Sequence, residues 1–133
     1  IINEAEAGLL AQSSPEIENL RQIALRLKEY GVMERVIIHR PELSLCLSEN
    51  GFSALGSYEL PQGCIAGATG AGDAFCAGCL LEIYRGKSDS EILGFASAAA
   101  VAALNGTDSV SGMKSEAQVR ELCKNFERKK ICL

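Results

Sequence analysis

Apolar and polar residues recur along the chain with periods that predict a mixed α/β order. Ile1-Ile2 reads as the end of a buried strand. Asn3 followed by Glu4 and Glu6 suits the cap and acidic first turn of a short helix over 4–10. Ser14-Pro15-Glu16 predicts the start of a second helix, with Ile17, Leu20, Ile23, Ala24 and Leu27 on one face and Gly31 as terminator. Val36-Ile37-Ile38 reads as a short buried strand. Leu43, Leu45 and Leu47 alternate with Ser44, Cys46 and Ser48, the pattern of a half-buried strand. Asn50-Gly51 is a hairpin signal, with a return strand expected from Phe52 to Leu60, broken by Gly56.

Three helices are predicted after that hairpin. A small-residue loop ends in Gly70-Ala71-Gly72-Asp73, and a helix runs from Ala74 to about Tyr84. Ser88 to Glu91 forms a capping box before an Ala-rich helix to about Leu104 that is apolar on nearly every side, hence buried all round. Ser115 to Gln118 is another capping box, opening an amphipathic helix that carries Val119, Leu122, Cys123 and Phe126. The sum is part of a mainly parallel α/β sheet with an antiparallel edge hairpin, flanked by helices. No internal repeat or low-complexity linker interrupts it.

Composition narrows the function classes. The chain has 133 residues, 47% hydrophobic and 23% charged, which is the make-up of a folded domain. With no Trp and 5% aromatic residues, an aromatic platform for nucleic acid is not expected. The net charge of −4 argues the same way against duplex binding. The one basic cluster, Lys124 to Lys130, reads as a solvated helix face. The longest apolar run, Ile92 to Leu104, is shorter than the roughly 20 residues a spanning helix needs, so no membrane partner is expected. Six cysteines, mostly inside apolar patterns, read as reduced core thiols and point to a cytoplasmic location. Cys76-x-x-Cys79 lacks the context of a redox pair, and His39, the sole histidine, has no evident ligand partners nearby in the chain. The start at Ile1-Ile2, without a lead-in, suggests a piece of a longer protein.

The stretch Gly67 to Asp73 carries the chemistry. Its glycines run G-x-x-G-x-G, which is not the dinucleotide fingerprint. Gly67 and Gly72 have Walker A spacing, but Asp73 stands where that loop needs Lys. Glycines ahead of a helix leave backbone N–H groups free to hold an anion. A carboxylate beside them could accept the proton of a hydroxyl attacking phosphorus. On residues alone, a Gly-rich turn whose Asp caps the helix explains the stretch equally well.

The segment Gly67-Ala-Thr-Gly-Ala-Gly-Asp-Ala-Phe-Cys-Ala-Gly78 resembles the C-terminal signature of the PfkB (ribokinase-like) carbohydrate kinases, D-T-x-G-A-G-D-x-F followed by a small residue and Gly. Asn3-Glu4-Ala5-Glu6 is similar to that family's N-x-x-E element, and the helix Phe95 to Leu104 to its adenine-side helix. The resemblance implies a ribokinase-like three-layer fold of which residues 1–133 are a single partial domain, the C-terminal ATP-binding half. It implies Asp73 as general base and the amides of Gly70, Ala71, Gly72 and Asp73 as an anion hole. Asn3 and Glu6 would hold Mg²⁺ and phosphates mostly through water, although a helix cap and a solvated acid explain the same two residues. Ser97 and Ala98 would lie at the adenine, with Ala99 and Ala102 also small enough to admit a flat base.

Two departures accompany the match. The signature's Asp-Thr is Gly67-Ala68 here, which puts a monovalent cation in doubt. The T-x-G that touches nucleotide phosphates reads His39-Arg40-Pro41, and a proline cannot reach every conformation open to glycine. Either His39 or Arg40 takes over a phosphate contact, or the loop has drifted. The resemblance therefore implies an ATP-dependent sugar kinase whose sugar site lies largely outside this chain, so that the chain alone is expected to be inactive. A non-catalytic nucleotide-binding or regulatory module is the alternative. Apolar surface left uncovered would favour a homo-oligomer.

Overall fold

Four strands form one sheet in the order β1 (Ile2–Asn3), β2 (Val36–His39), β3 (Leu43–Ser48) and β4 (Gly51–Gly56). β1 runs parallel to β2, with Ile2 opposite Ile38. β2, β3 and β4 are successively antiparallel, with His39 opposite Ser44 and Ser44 opposite Leu55. Helices α1 (Glu4–Ala11), α2 (Leu20–Glu29), α3 (Ala71–Tyr84), α4 (Asp89–Ala103) and α5 (Glu116–Asn125) complete the elements. The computed structural model describes residues 1–131. Cys132 and Leu133, and the side chain of Cys123, lie outside the described residues.

The period-2 pattern of β3 explains the layers. Leu43, Leu45 and Leu47 point toward α1 and α2, where they join Ala7, Leu20, Ile23 and Ala24 in one core. Cys46 points the other way and meets Phe75, Cys79, Ile92 and Leu93 of α3 and α4. All six β3 residues are buried. The half-buried strand expected from its alternating serines is corrected here: helices cover both faces, so the polar positions are buried too. Ser48 Oγ donates to the buried Asp89 at 2.5 Å, and Arg35 Nε donates to the same carboxylate at 2.8 Å. The sheet thus lies between two helical layers.

Other boundaries shift for local reasons. Residues 14–16 form no helix, Glu16 is extended, and the second helix enters through a 3-10 turn over Ile17–Asn19 instead of a Ser14 cap. The hairpin return stops at Gly56 and not at Leu60. Arg128 Nη1 donates to Gly56 O, and a Cβ at Gly56 would collide with the carbonyl of Lys129. α5 ends at Asn125, so the basic cluster is not one helix face: residues 127–130 leave the helix and cross beside 57–59. α4 is buried from Ile92 onward except for half-buried Gly94 and Ala100, as its composition predicts. It packs tightly on α3, where a Cβ at Gly78 would stand 2.8 Å from Ala96 Cα. No described helix is long and apolar enough to cross a membrane.

Candidate functional site

A cavity of about 1310 Å³ opens at the carboxyl ends of the parallel pair β1 and β2. Crevices at strand carboxyl ends are where open α/β sheets bind ligands. Its volume exceeds the roughly 300–1000 Å³ usual for small-molecule sites. Asn3 and His39 line it from the strand ends, and Ala71, Gly72 and Phe75 from the start of α3. Ser97, Ala100, Val101 and Leu104 supply an apolar wall from α4 and its end. Segments 57–60 and 127–130 supply a further wall.

The first turn of α3 is built around Gly70, its N-cap, at φ 83°. Only glycine takes that conformation without strain. The N–H of Ala71 donates to Ala68 O at 3.3 Å, and that of Ala74 to Gly70 O at 2.9 Å. Among the described residues the N–H groups of Gly72 and Asp73 have no acceptor. Asp73 lies in the first turn, exposed, and makes no capping bond. Its carboxylate is therefore not the helix cap that the bland reading of the loop requires. Gly67 has its own steric reason: a Cβ there would lie 2.9 Å from Gly106 O. The segment that presses on Gly67 also presses on Gly70 through Ser109.

His39 packs on this turn. Its ring centroid is 4.7 Å from that of Phe75, and its Cε1 would stand 3.5 Å from a Cβ on Gly72. Burial pushes the imidazole below its ordinary value, with Glu4 and Glu6 pulling partly the other way, so the ring is neutral at neutral pH. Arg40 lines the cavity too, but its guanidinium is already engaged. Its Nε donates to Glu42 at 2.6 Å and its Nη1 to Pro15 O at 3.0 Å, and this guanidinium holds the Glu42 carboxyl below the usual range.

Asn3 caps α1 reciprocally with Glu6: the Glu6 N–H donates to Asn3 Oδ1 at 2.9 Å, and the Asn3 N–H to Glu6 Oε2 at 3.4 Å. Asn3 and Glu4 line the cavity and Glu6 does not. No group of three or more potential metal ligands from His, Cys, Asp and Glu occurs among the described residues. Asn3 and Glu6 offer one amide and one carboxylate side chain, a set compatible with Mg²⁺ when most of the ion's ligands are waters.

On α4, Ser97 lines the cavity while its Oγ donates back to Leu93 O at 2.8 Å. Ala98 does not line it; it is fully buried in a core with Tyr58, Ala74 and Phe95. Ala100 and Val101, about one turn beyond Ser97, and Leu104, about two turns beyond it, stand at the wall instead. Sequence reasoning missed the 57–60 and 127–130 walls entirely. There Lys129 N–H donates to Ser57 O at 2.8 Å, Glu59 N–H to Glu127 O at 2.9 Å, and the Arg128 guanidinium lies 4.1 Å over the Tyr58 ring. No local signal announces a pairing of segments so far apart in the chain.

Comparison with known proteins places these features in a class, the α/β carbohydrate kinases. The model of the pfkB family carbohydrate kinases matches residues 1–115, and the chain belongs to that family. An Arabidopsis thaliana ribokinase complexed with ribose and ATP is 26% identical, with a TM-score of 0.79 over 92% of this chain and 40% of that one. A candidate ribokinase II from Escherichia coli in complex with ATP and Mg²⁺ is 22% identical, with a TM-score of 0.74 over 93% of this chain and 38% of that one. The phosphofructokinase-2 of E. coli, in complex with substrates and products, is 19% identical, with a TM-score of 0.77 over 95% and 40%. The chain thus spans about two-fifths of the length of these solved structures. No curated protein sequence matches it.

Proposed function

We propose that this chain is the nucleotide-binding half of a cytoplasmic, ATP-dependent sugar kinase. The observation that carries this reading is Asp73: an exposed carboxylate, tied to no capping bond, in the same helical turn as two N–H groups without acceptors. Asp73 accepts the proton of a sugar hydroxyl as its oxygen attacks the γ-phosphorus of ATP. The bond to the β-phosphate oxygen breaks, and ADP leaves with that electron pair. The amides around Gly70, Ala71, Gly72 and Asp73 stabilise the charge on the transferred group, usually the largest catalytic contribution. The free N–H groups of Gly72 and Asp73 suit this better than that of Ala71, which Ala68 O engages.

The neutral His39 ring closes the phosphate end beside Gly72. Ser97, with Ala100, Val101 and Leu104, supplies the flat, largely apolar wall that an adenine needs. Asn3 and Glu6 would hold Mg²⁺ through water, and the ion when bound neutralises phosphate charge. The Asp of the family signature is Gly67 here, so no monovalent cation is assigned. The sugar site lies in the remainder of a longer protein, so the isolated chain phosphorylates nothing at a useful rate. A second reading, a module that binds nucleotide without catalysis, is favoured by Arg40, whose guanidinium is held by Glu42 and Pro15 O.

One experiment separates the two. MgATP is titrated calorimetrically into the chain and its Asp73→Ala variant, and sugar-dependent ADP release is followed in the full-length protein. The kinase reading expects saturable binding in both chains, and turnover that falls about 10²- to 10⁴-fold in the variant. Binding without sugar-dependent turnover in the full-length wild type would establish the module.

A further inference from the structure

Three serines are buried in this fold, Ser44, Ser48 and Ser97. Burying a hydroxyl without a partner costs free energy, so such groups are nearly always paired. Ser48 donates to Asp89, and Ser97 to Leu93 O. Ser44 is 2% exposed, and its Oγ is the one buried side-chain oxygen or nitrogen without a partner among the described residues. Ser44 also lines the large cavity.

Its place in the sheet says which part of the cavity it serves. Ser44 lies directly opposite His39 across the β2–β3 ladder, so the two side chains share the face toward α3 and α4. His39 in turn packs against Gly72 and Phe75 at the start of α3. Ser44 therefore lines the cavity beside His39, on the side that also carries the start of α3.

We propose that Ser44 is a nucleotide-positioning residue whose hydroxyl donates to a phosphate oxygen of the bound nucleotide, next to His39. This rests on the reading of the cavity as a nucleotide site. A single turn about Cα–Cβ between staggered positions is the only adjustment a serine needs to redirect its hydroxyl. The fold gives this hydroxyl no protein partner, and the ligand satisfies it.

The assignment makes two opposite expectations for Ser44→Ala in the intact protein. Removing an unpartnered hydroxyl leaves the melting temperature of the unliganded protein unchanged or raises it. Removing a ligand hydrogen bond weakens MgATP and MgADP about five- to tenfold by calorimetry, with adenosine unaffected. Ser44→Cys, which keeps the side-chain shape with a weaker donor, is expected to weaken them in the same direction. Equal MgATP affinity in wild type and Ser44→Ala overturns the proposal, as does a lowered melting temperature with unchanged affinity. An equal loss for adenosine overturns the phosphate assignment. A folded wild type that binds no MgATP fails earlier, at the nucleotide reading itself, and takes this inference with it.

Discussion

Gly70 and Ser109 approach so closely that a Cβ on Gly70 would stand 2.7 Å from both Cα and the carbonyl oxygen of Ser109. The residue that caps α3 is thus fixed twice, by its φ of 83° and by the backbone packed on it. Gly70→Ala is expected to destabilise the chain by about 2 kcal/mol or more, since the left-handed conformation alone costs roughly 1–2 kcal/mol. Urea denaturation measures this. Gly67→Asp, which would restore the side chain of the family signature, should also destabilise, because Gly106 O occupies its place. A wild-type midpoint in both variants would refute the packing argument.

The cysteines divide by burial. Burial pushes the thiols of Cys46 and Cys79 up to about 12. Only the thiolate is reactive, so both should resist alkylation in the native chain at pH 8 and react on unfolding. Cys64 and Cys76 are less buried and should label before these two. Mass spectrometry after a timed iodoacetamide pulse reads the order. Early labelling of Cys79 would reopen the Cys76-x-x-Cys79 pair as a redox candidate.

His39 gives a pH dependence with a definite sign. Its folded value lies below the ordinary 6.5 because burial disfavours the charged ring. Below that ordinary value the unfolded chain therefore holds more protons than the folded one, and stability falls as pH drops. The loss begins near the ordinary value and continues down to the lowered folded one. His39→Gln should flatten this part of the profile, as judged from urea midpoints between pH 7.5 and 5. Parallel profiles for the two proteins would contradict the assignment.

Leu80 and Tyr84 of α3 are 57% and 89% exposed, one turn apart on the same helix face. Exposed apolar faces of this kind drive association. The isolated chain is expected to sediment above its monomer mass of 14.1 kDa as concentration rises, and Leu80→Glu with Tyr84→Glu to restore the monomer. A monomer at every concentration would count against it.

Elements with strong local signals were legible in the sequence. The capping boxes at Ser88 and Ser115 mark helix starts correctly, since a cap is a contact between neighbours in the chain. The Asn50-Gly51 turn and the register around it follow from local backbone preference. The glycine loop was legible as a helix start with an unusual acid. What failed depended on distant partners. The serine face of β3 looked solvent-facing because alternation cannot tell water from a second helical layer. Ser14-Pro15 looked like a cap, but Pro15 O is held by Arg40, and the chain stays extended past it. Ala98 looked like a ligand wall because small residues line cavities and fill cores alike.

The pairing of 57–59 with 127–129 carries a consequence for how the cavity comes into being. Arg128 reaches Gly56 O and Tyr58 Oη across separations of 72 and 70 residues. Loop-closure entropy must be met before such contacts form, so they are expected late in folding. On the ribosome, half of this wall is synthesised long before its complement. The crevice is therefore among the last features the nascent chain acquires, and competence to hold a ligand reports on arrival at the native state more stringently than helix content does.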